Sequence, residues 1–91
     1  MIEKRRGKME VIADILRSIQ DKEGKIKPTH LLYKSNLSHA KLKEYASILL
    51  EKGMIEERLV KGRKMFFMKE QGHKFLLEFE RIKEFSDSFG L

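Results

Sequence analysis

Cysteine and tryptophan are both missing from the 91 residues, and proline occurs once. Without Cys there is no disulfide, no thiolate metal site and no thiol nucleophile. No apolar run approaches the roughly 20 residues that a membrane-spanning helix needs. The opening Met1-Ile2-Glu3-Lys4-Arg5-Arg6 is charged like the start of a signal peptide, yet Glu10, Asp14 and Arg17 behind it leave no apolar segment to cleave after. These absences predict an intracellular, cytoplasmic protein without a membrane partner. Asn (one) and Gln (two) are scarce beside Lys and Glu, a balance that leans towards thermophiles. No internal repeat, low-complexity tract or linker interrupts the chain, and its length suits one compact domain.

Catalytic groupings are missing too. His30, His39 and His73 do not share a helix face at metal-pair spacing. Glu56 and Glu57 are adjacent on a strand-like segment, so they point to opposite faces and cannot work as a carboxylate pair. There is no Gly-rich phosphate loop, and Ser38 has no neighbouring base. The expectation is a binding protein with no cofactor, no metal and no small-molecule substrate.

What the chain does have is positive charge, unevenly spread. Twenty basic and fourteen acidic side chains give a formal +6. Residues 1–68 hold sixteen of the bases and nine of the acids, whereas residues 69–91 hold four and five. Gly24 to Lys43 contains Lys25, Lys27, Lys34, Lys41 and Lys43, with His30 and His39, and no acid. Arg58 to Lys69 adds Arg58, Lys61, Arg63, Lys64 and Lys69, again with no acid. Surfaces usually mix both signs, so two acid-free blocks point to an anionic partner.

Apolar spacing predicts the elements. Met9, Ile12, Ile15, Leu16 and Ile19 recur at three and four, predicting a helix from Lys8 to Lys22 that stops at Gly24. Lys25-Ile26-Lys27 alternates like a short strand. Pro28 suits the first turn of a helix, and Thr29 to Lys34 forms a short one with Leu31, Leu32 and Tyr33 inward. Ser35-Asn36 break it, and Ser38 caps a third helix from His39 to about Lys52. The buried face of that helix would be Leu42, Tyr45, Ala46 and Leu49. A three- to four-residue link between the two is a helix-turn-helix connection. Met54 to Val60 and Lys64 to Met68 read as strands joined by Lys61-Gly62-Arg63. From Glu70 to about Ser88 the pattern is helical again, with a seam of Phe75, Phe79, Ile82, Phe85 and Phe89.

Helix, short strand, two turn-linked helices, hairpin and helix make up the winged-helix order, with Ile26 on a third strand beside the hairpin. The residues Thr29-His30-Leu31-Leu32-Tyr33-Lys34-Ser35-Asn36-Leu37-Ser38, followed by Leu42, Tyr45, Leu49 and Gly53-Met54-Ile55, resemble small archaeal winged-helix DNA-binding proteins. Lys69-Glu70-Gln71-Gly72 looks like that family's entry into its last helix, and the likeness spans roughly residues 9–85. The resemblance implies a chromatin-associated or regulator-like protein. Several members dimerise through the C-terminal helix, as an antiparallel coiled coil.

The fold expected is α+β, mostly α: a winged helix-turn-helix with a three-helix core, a two- to three-stranded β-wing and a C-terminal dimerisation helix. Residues 1–7 would be a basic arm (Lys4, Arg5, Arg6, with Lys8 behind), 8–69 the DNA-binding domain and 70–91 the dimerisation element. Base edges are normally met by the start of the recognition helix while the preceding helix crosses the backbone. The candidate contacts to double-stranded DNA are therefore Lys27, Thr29, His30, Lys34, Ser38, His39, Ala40, Lys41, Lys43 and Ser47, with Lys61, Arg63 and Lys64 on the wing. Outward on the third helix there is no Arg, Asn or Gln for bidentate base readout, and lysines act as point charges on phosphates. Weak to modest sequence preference is expected, in a cytoplasmic, nucleoid-associated protein. With about five or six phosphates met per protomer, the log–log salt slope would be about −5. A homodimer through Phe79, Ile82, Phe85 and Phe89 is expected, because a contiguous Phe seam outlasts what a small body can cover. The alternative is a protein-interaction adaptor, or an RNA binder, inside a larger assembly.

Overall fold

The structure, a computed structural model, describes residues 6–91. Lys4 and Arg5 of the expected arm thus lie outside the described residues. Seven elements run in order: α1 (Lys8–Gln20), β1 (Lys25–Ile26), α2 (Pro28–Ser35), α3 (His39–Glu51), β2 (Ile55–Val60), β3 (Arg63–Met68) and α4 (Glu70–Ser88). This is the mostly helical α+β architecture read from the sequence.

α1 is the central helix. Ile15, Leu16 and Ile19 are fully buried, and covering is wide enough to take in Val11, Ala13 and Ser18 as well. Met9, expected on the buried face, is half exposed in the first turn. The helix closes at Gln20 rather than Lys22, because Glu23 and Gly24 both take left-handed conformations (φ 61° and 87°) and the Gly24 N–H returns to the Ile19 carbonyl at 3.0 Å.

α2 starts on Pro28 and ends at Asn36, whose φ of 55° is a left-handed cap. Leu31 and Ser35, four residues apart, are its buried positions, with Leu32 partly buried. Tyr33, expected inward, is instead 81% exposed. At 100° per residue it falls roughly 160° from Leu31, so it cannot share the same face. The turn to α3 is Asn36-Leu37-Ser38; Leu37 packs against the core, and the Ser38 hydroxyl accepts the Lys41 N–H at 3.2 Å. Leu42, Ala46 and Leu49 then bury α3, with Tyr45 partly covered.

The three strands form one antiparallel sheet in the order β1-β3-β2. Lys25 pairs with Phe67 and Ile26 with Phe66, which attaches the short strand to the hairpin as expected. The hairpin loop is two residues rather than three: Val60 pairs with Arg63, leaving Lys61 and Gly62, both at positive φ (53° and 78°). That is the geometry a type I′ loop demands, and its twist suits the strands.

α4 docks its first half on α1. The Lys69 N–H donates to the Met54 carbonyl at 3.0 Å, and Gly72 lies so close that a Cβ there would run into the same carbonyl oxygen. Leu76 is buried, and Phe75 and Phe79 stack at 6.4 Å against the core. Arg17 links the helices further, bonding Asp14 at 3.1 Å and Glu80 at 3.4 Å.

Candidate nucleic-acid interface

Two helix starts and the sheet converge on one open groove. α2 begins there because Pro28 needs no N–H partner in a first turn. α3 begins there because the left-handed Asn36 reverses the chain and Ser38 caps the new helix. The groove, about 380 Å³, brings together Thr29 from α2, His39, Lys43 and Ser47 from α3, and Lys64 from β3. Its floor is apolar (Leu42, Ala46, Phe66), and one acid, Glu57, stands on its sheet side.

All thirteen candidate contact residues are exposed. Five of them line this groove; the others distribute around it with different surroundings. Ala40 and Lys41 occupy the outward side of the first turn of α3. Lys41 reaches Glu44 at 3.4 Å, and Lys64 reaches Glu57 at 3.7 Å. Pairs this exposed are worth at most about 1 kcal/mol, so a phosphate competes with them easily. Lys27 caps the start of α2, with His30 one turn on. Lys34 sits apart: it lines a second depression with Arg6, Asp14, Arg17 and Asp21.

The wing residues divide by strand alternation. Lys64 shares a face with Phe66 and Glu57 and so borders the groove, while Arg63 shares the outer face with Met65 and Phe67. Lys61 sits in the loop itself. On the outer face the Arg58 guanidinium lies 4.0 Å above the Phe67 ring and pairs with Glu56. Arg58 belongs to the second basic block but not to the expected contacts; period-two alternation puts it diagonal to Phe67, which is the signal that finds this stack.

Arg6 has a different part from the one expected for an arm. Its guanidinium donates to Asp14 at 2.9 Å, to the Ser35 carbonyl at 2.9 Å and to the Asn36 carbonyl at 3.0 Å. It therefore satisfies carbonyls left free where α2 ends, and holds α1 to the turn before α3.

The expected dimer residues separate as well. Phe79 belongs with the core, whereas Ile82, Phe85 and Phe89 are 65%, 67% and 67% exposed. Phe85 and Phe89 touch each other, their ring centres 5.0 Å apart. Among the described residues no His, Asp or Glu grouping is suited to a metal ion, and no helix is long and apolar enough to cross a membrane.

Comparison with known proteins bears on this geometry. A family model described as winged helix-turn-helix matches residues 5–87. Among solved structures, Sso10a-2, a DNA-binding protein from Sulfolobus solfataricus, superposes with a TM-score of 0.80 at 24% identity, over 92% of this chain and 85% of that one. A winged-helix DNA-binding protein from STIV gives 0.75 at 15% identity, over 88% and 92%. BpsR from Bordetella bronchiseptica, whose DNA binding is described as regulated by 6-hydroxynicotinic acid, gives 0.74 at 12% identity, over 88% of this chain and 60% of that one. A search of curated proteins finds no match.

Proposed function

The chain belongs to the winged helix-turn-helix family, and from that premise we propose that it binds double-stranded DNA as a homodimer, with weak to modest sequence preference, in a chromatin-associated or regulatory role. It is a binding protein rather than an enzyme, as its family and structural neighbours indicate. The observation that carries the reading is the shared groove: Lys43 of α3 and Lys64 of β3 flank one open channel, and the N-terminal end of α3 adds backbone N–H groups suited to phosphate. Two of the structural neighbours are named as DNA-binding proteins with the same fold.

In this reading α3 enters the major groove, with His39, Ala40, Lys41, Lys43 and Ser47 facing the duplex. Thr29 and His30 lie along the backbone, and Lys61, Arg63 and Lys64 on the wing track the neighbouring minor groove. Contacts from lysine to phosphate fix position without reading bases. Glu44, exposed among these cations, further limits tight non-specific binding. The dimer is supported by Ile82, Phe85 and Phe89, which form an uncovered apolar strip that a two-fold partner helix would cover. A duplex as partner puts the protein in the cytoplasm beside the nucleoid.

The test is duplex affinity for several unrelated sequences at two salt concentrations, with the Lys41→Glu/Lys43→Glu variant alongside. The expected result is a salt slope of about −5 and loss of binding in the variant at unchanged helicity. A slope near zero, or full binding by the charge-reversed protein, overturns the reading in favour of a protein-interaction module.

A further inference from the structure

We propose that Leu59 is an apolar wedge for the minor groove, so that the protein bends the duplex it holds; this rests on the duplex-binding reading above. Leu59 is 73% exposed, more than any seam residue of α4 up to Phe89, and Val60 beside it is 38% exposed. Among the described residues these are the only large apolar side chains on the sheet that are left to solvent. A lone exposed leucine on a protein surface is ordinary. This one is set apart by its position.

Leu59 stands at the end of a two-stranded ribbon, opposite Lys64 in the register, with Lys61 and Arg63 within four residues. The two-residue loop at positive φ keeps the ribbon end narrow. Alternation puts Leu59 on the face it shares with Glu57 and Lys64, the face that borders the groove between wing and α3. An apolar side chain thus stands opposite one cation, Lys64, on the side where the duplex would lie, with Lys61 in the loop beyond it. Among the described residues nothing covers it, and it lies outside the hydrophobic cluster of the body.

The chemistry of the partner matches. A narrow minor groove concentrates negative potential and draws in Lys61, Arg63 and Lys64. Base steps are the apolar surface such a groove offers, and Leu is among the side chains that wedge between them. The wedge unstacks one step and kinks the duplex towards the major groove. The kink brings more phosphates against the domain, which offsets the unstacking. Flexible TA and CA steps yield most readily.

The experiment measures two quantities on one duplex labelled at both ends: the binding isotherm, and the end-to-end distance by energy transfer at saturation. The expected result is a bend of about 20° or more with the native protein, within the range known for such wedges. Leu59→Ala and Leu59→Ser bind with affinity reduced less than about tenfold and leave the duplex straight, whereas Leu59→Met keeps the bend. A duplex with a central TA step is preferred over a matched A-tract, and the preference vanishes in Leu59→Ala. A straight duplex with saturated native protein, or equal bends with native and Leu59→Ala, overturns the wedge while duplex binding stands. Absence of any duplex binding removes both. Thermal unfolding of Leu59→Ala close to the native protein rules out misfolding as the cause.

Discussion

α1 and α4 carry apolar seams of the same kind, and the two seams end differently. Ile12, Ile15, Leu16 and Ile19 of α1 all lie at 5% exposure or below, walled in by α2, α4 and the sheet. α4 begins the same way, with Gly72 and Leu76 buried, and then continues past the body, so that Ile82, Phe85 and Phe89 face solvent. The periodicity is alike; the difference is whether the chain supplies a second surface. Apolar residues at helical spacing report a contact to be made, and the length of the body decides whether that contact is internal.

The comparison is sharpest where the two helices are truncated in the same way. Leu16→Ala strips the buried isobutyl group back to a methyl in the closed seam and is expected to cost about 3–4 kcal/mol in denaturant unfolding. Phe85→Ala, measured where the protein is dilute and monomeric, should lie within about 0.5 kcal/mol of the native protein. Equal losses at the two sites would break the contrast. Gly72→Ala tests the junction between the closed and open parts of α4. With the Met54 carbonyl in the way, a loss of about 1–3 kcal/mol is expected, read from the unfolding midpoint. Ser38→Ala affects the start of α3, remote from either seam, and should cost about 1 kcal/mol. The smallest effect on folding and the clearest on assembly belongs to Phe85→Glu/Phe89→Glu. Its unfolding at low concentration should barely change, while sedimentation shows the native protein at twice the variant's mass. A native protein that sediments as a monomer at micromolar concentration would remove the dimer from the proposal.

Much of the fold was legible because it rests on local rules. Pro28, Asn36 and Ser38 each mark a helix boundary for a stated steric or hydrogen-bonding reason, and all three stand where those reasons put them. Ile26 as a third strand came from element order alone. The sequence misleads at helix phase, at the end of a ladder and where a residue's partners lie far along the chain. Tyr33 is apolar enough to be assigned inward, but the short α2 has room for only one buried face. The hairpin loop was one residue too long, because only the pairing of Val60 with Arg63 shows where the ladder ends. The role of Arg6 could not be read at all: its carbonyl partners are 29 and 30 residues away. The groove was half legible. Its cations stood out by composition, whereas the separation of Lys34 from Lys43, and of Arg63 from Lys64, depends on helix phase and strand face.

The missing methyl group at Gly72 also sets the aim of everything beyond it. From Gly72 to Phe89 the helix rises about 25 Å, so a tilt of about 10° at its root would swing Phe89 sideways by roughly 4 Å. The close approach to the Met54 carbonyl, with Leu76, Phe75 and Phe79 packed beyond it, resists such a tilt. In the proposed two-fold pair, the span between the two domains would therefore be set by how the first half of α4 seats in each copy, with Gly72 at its root.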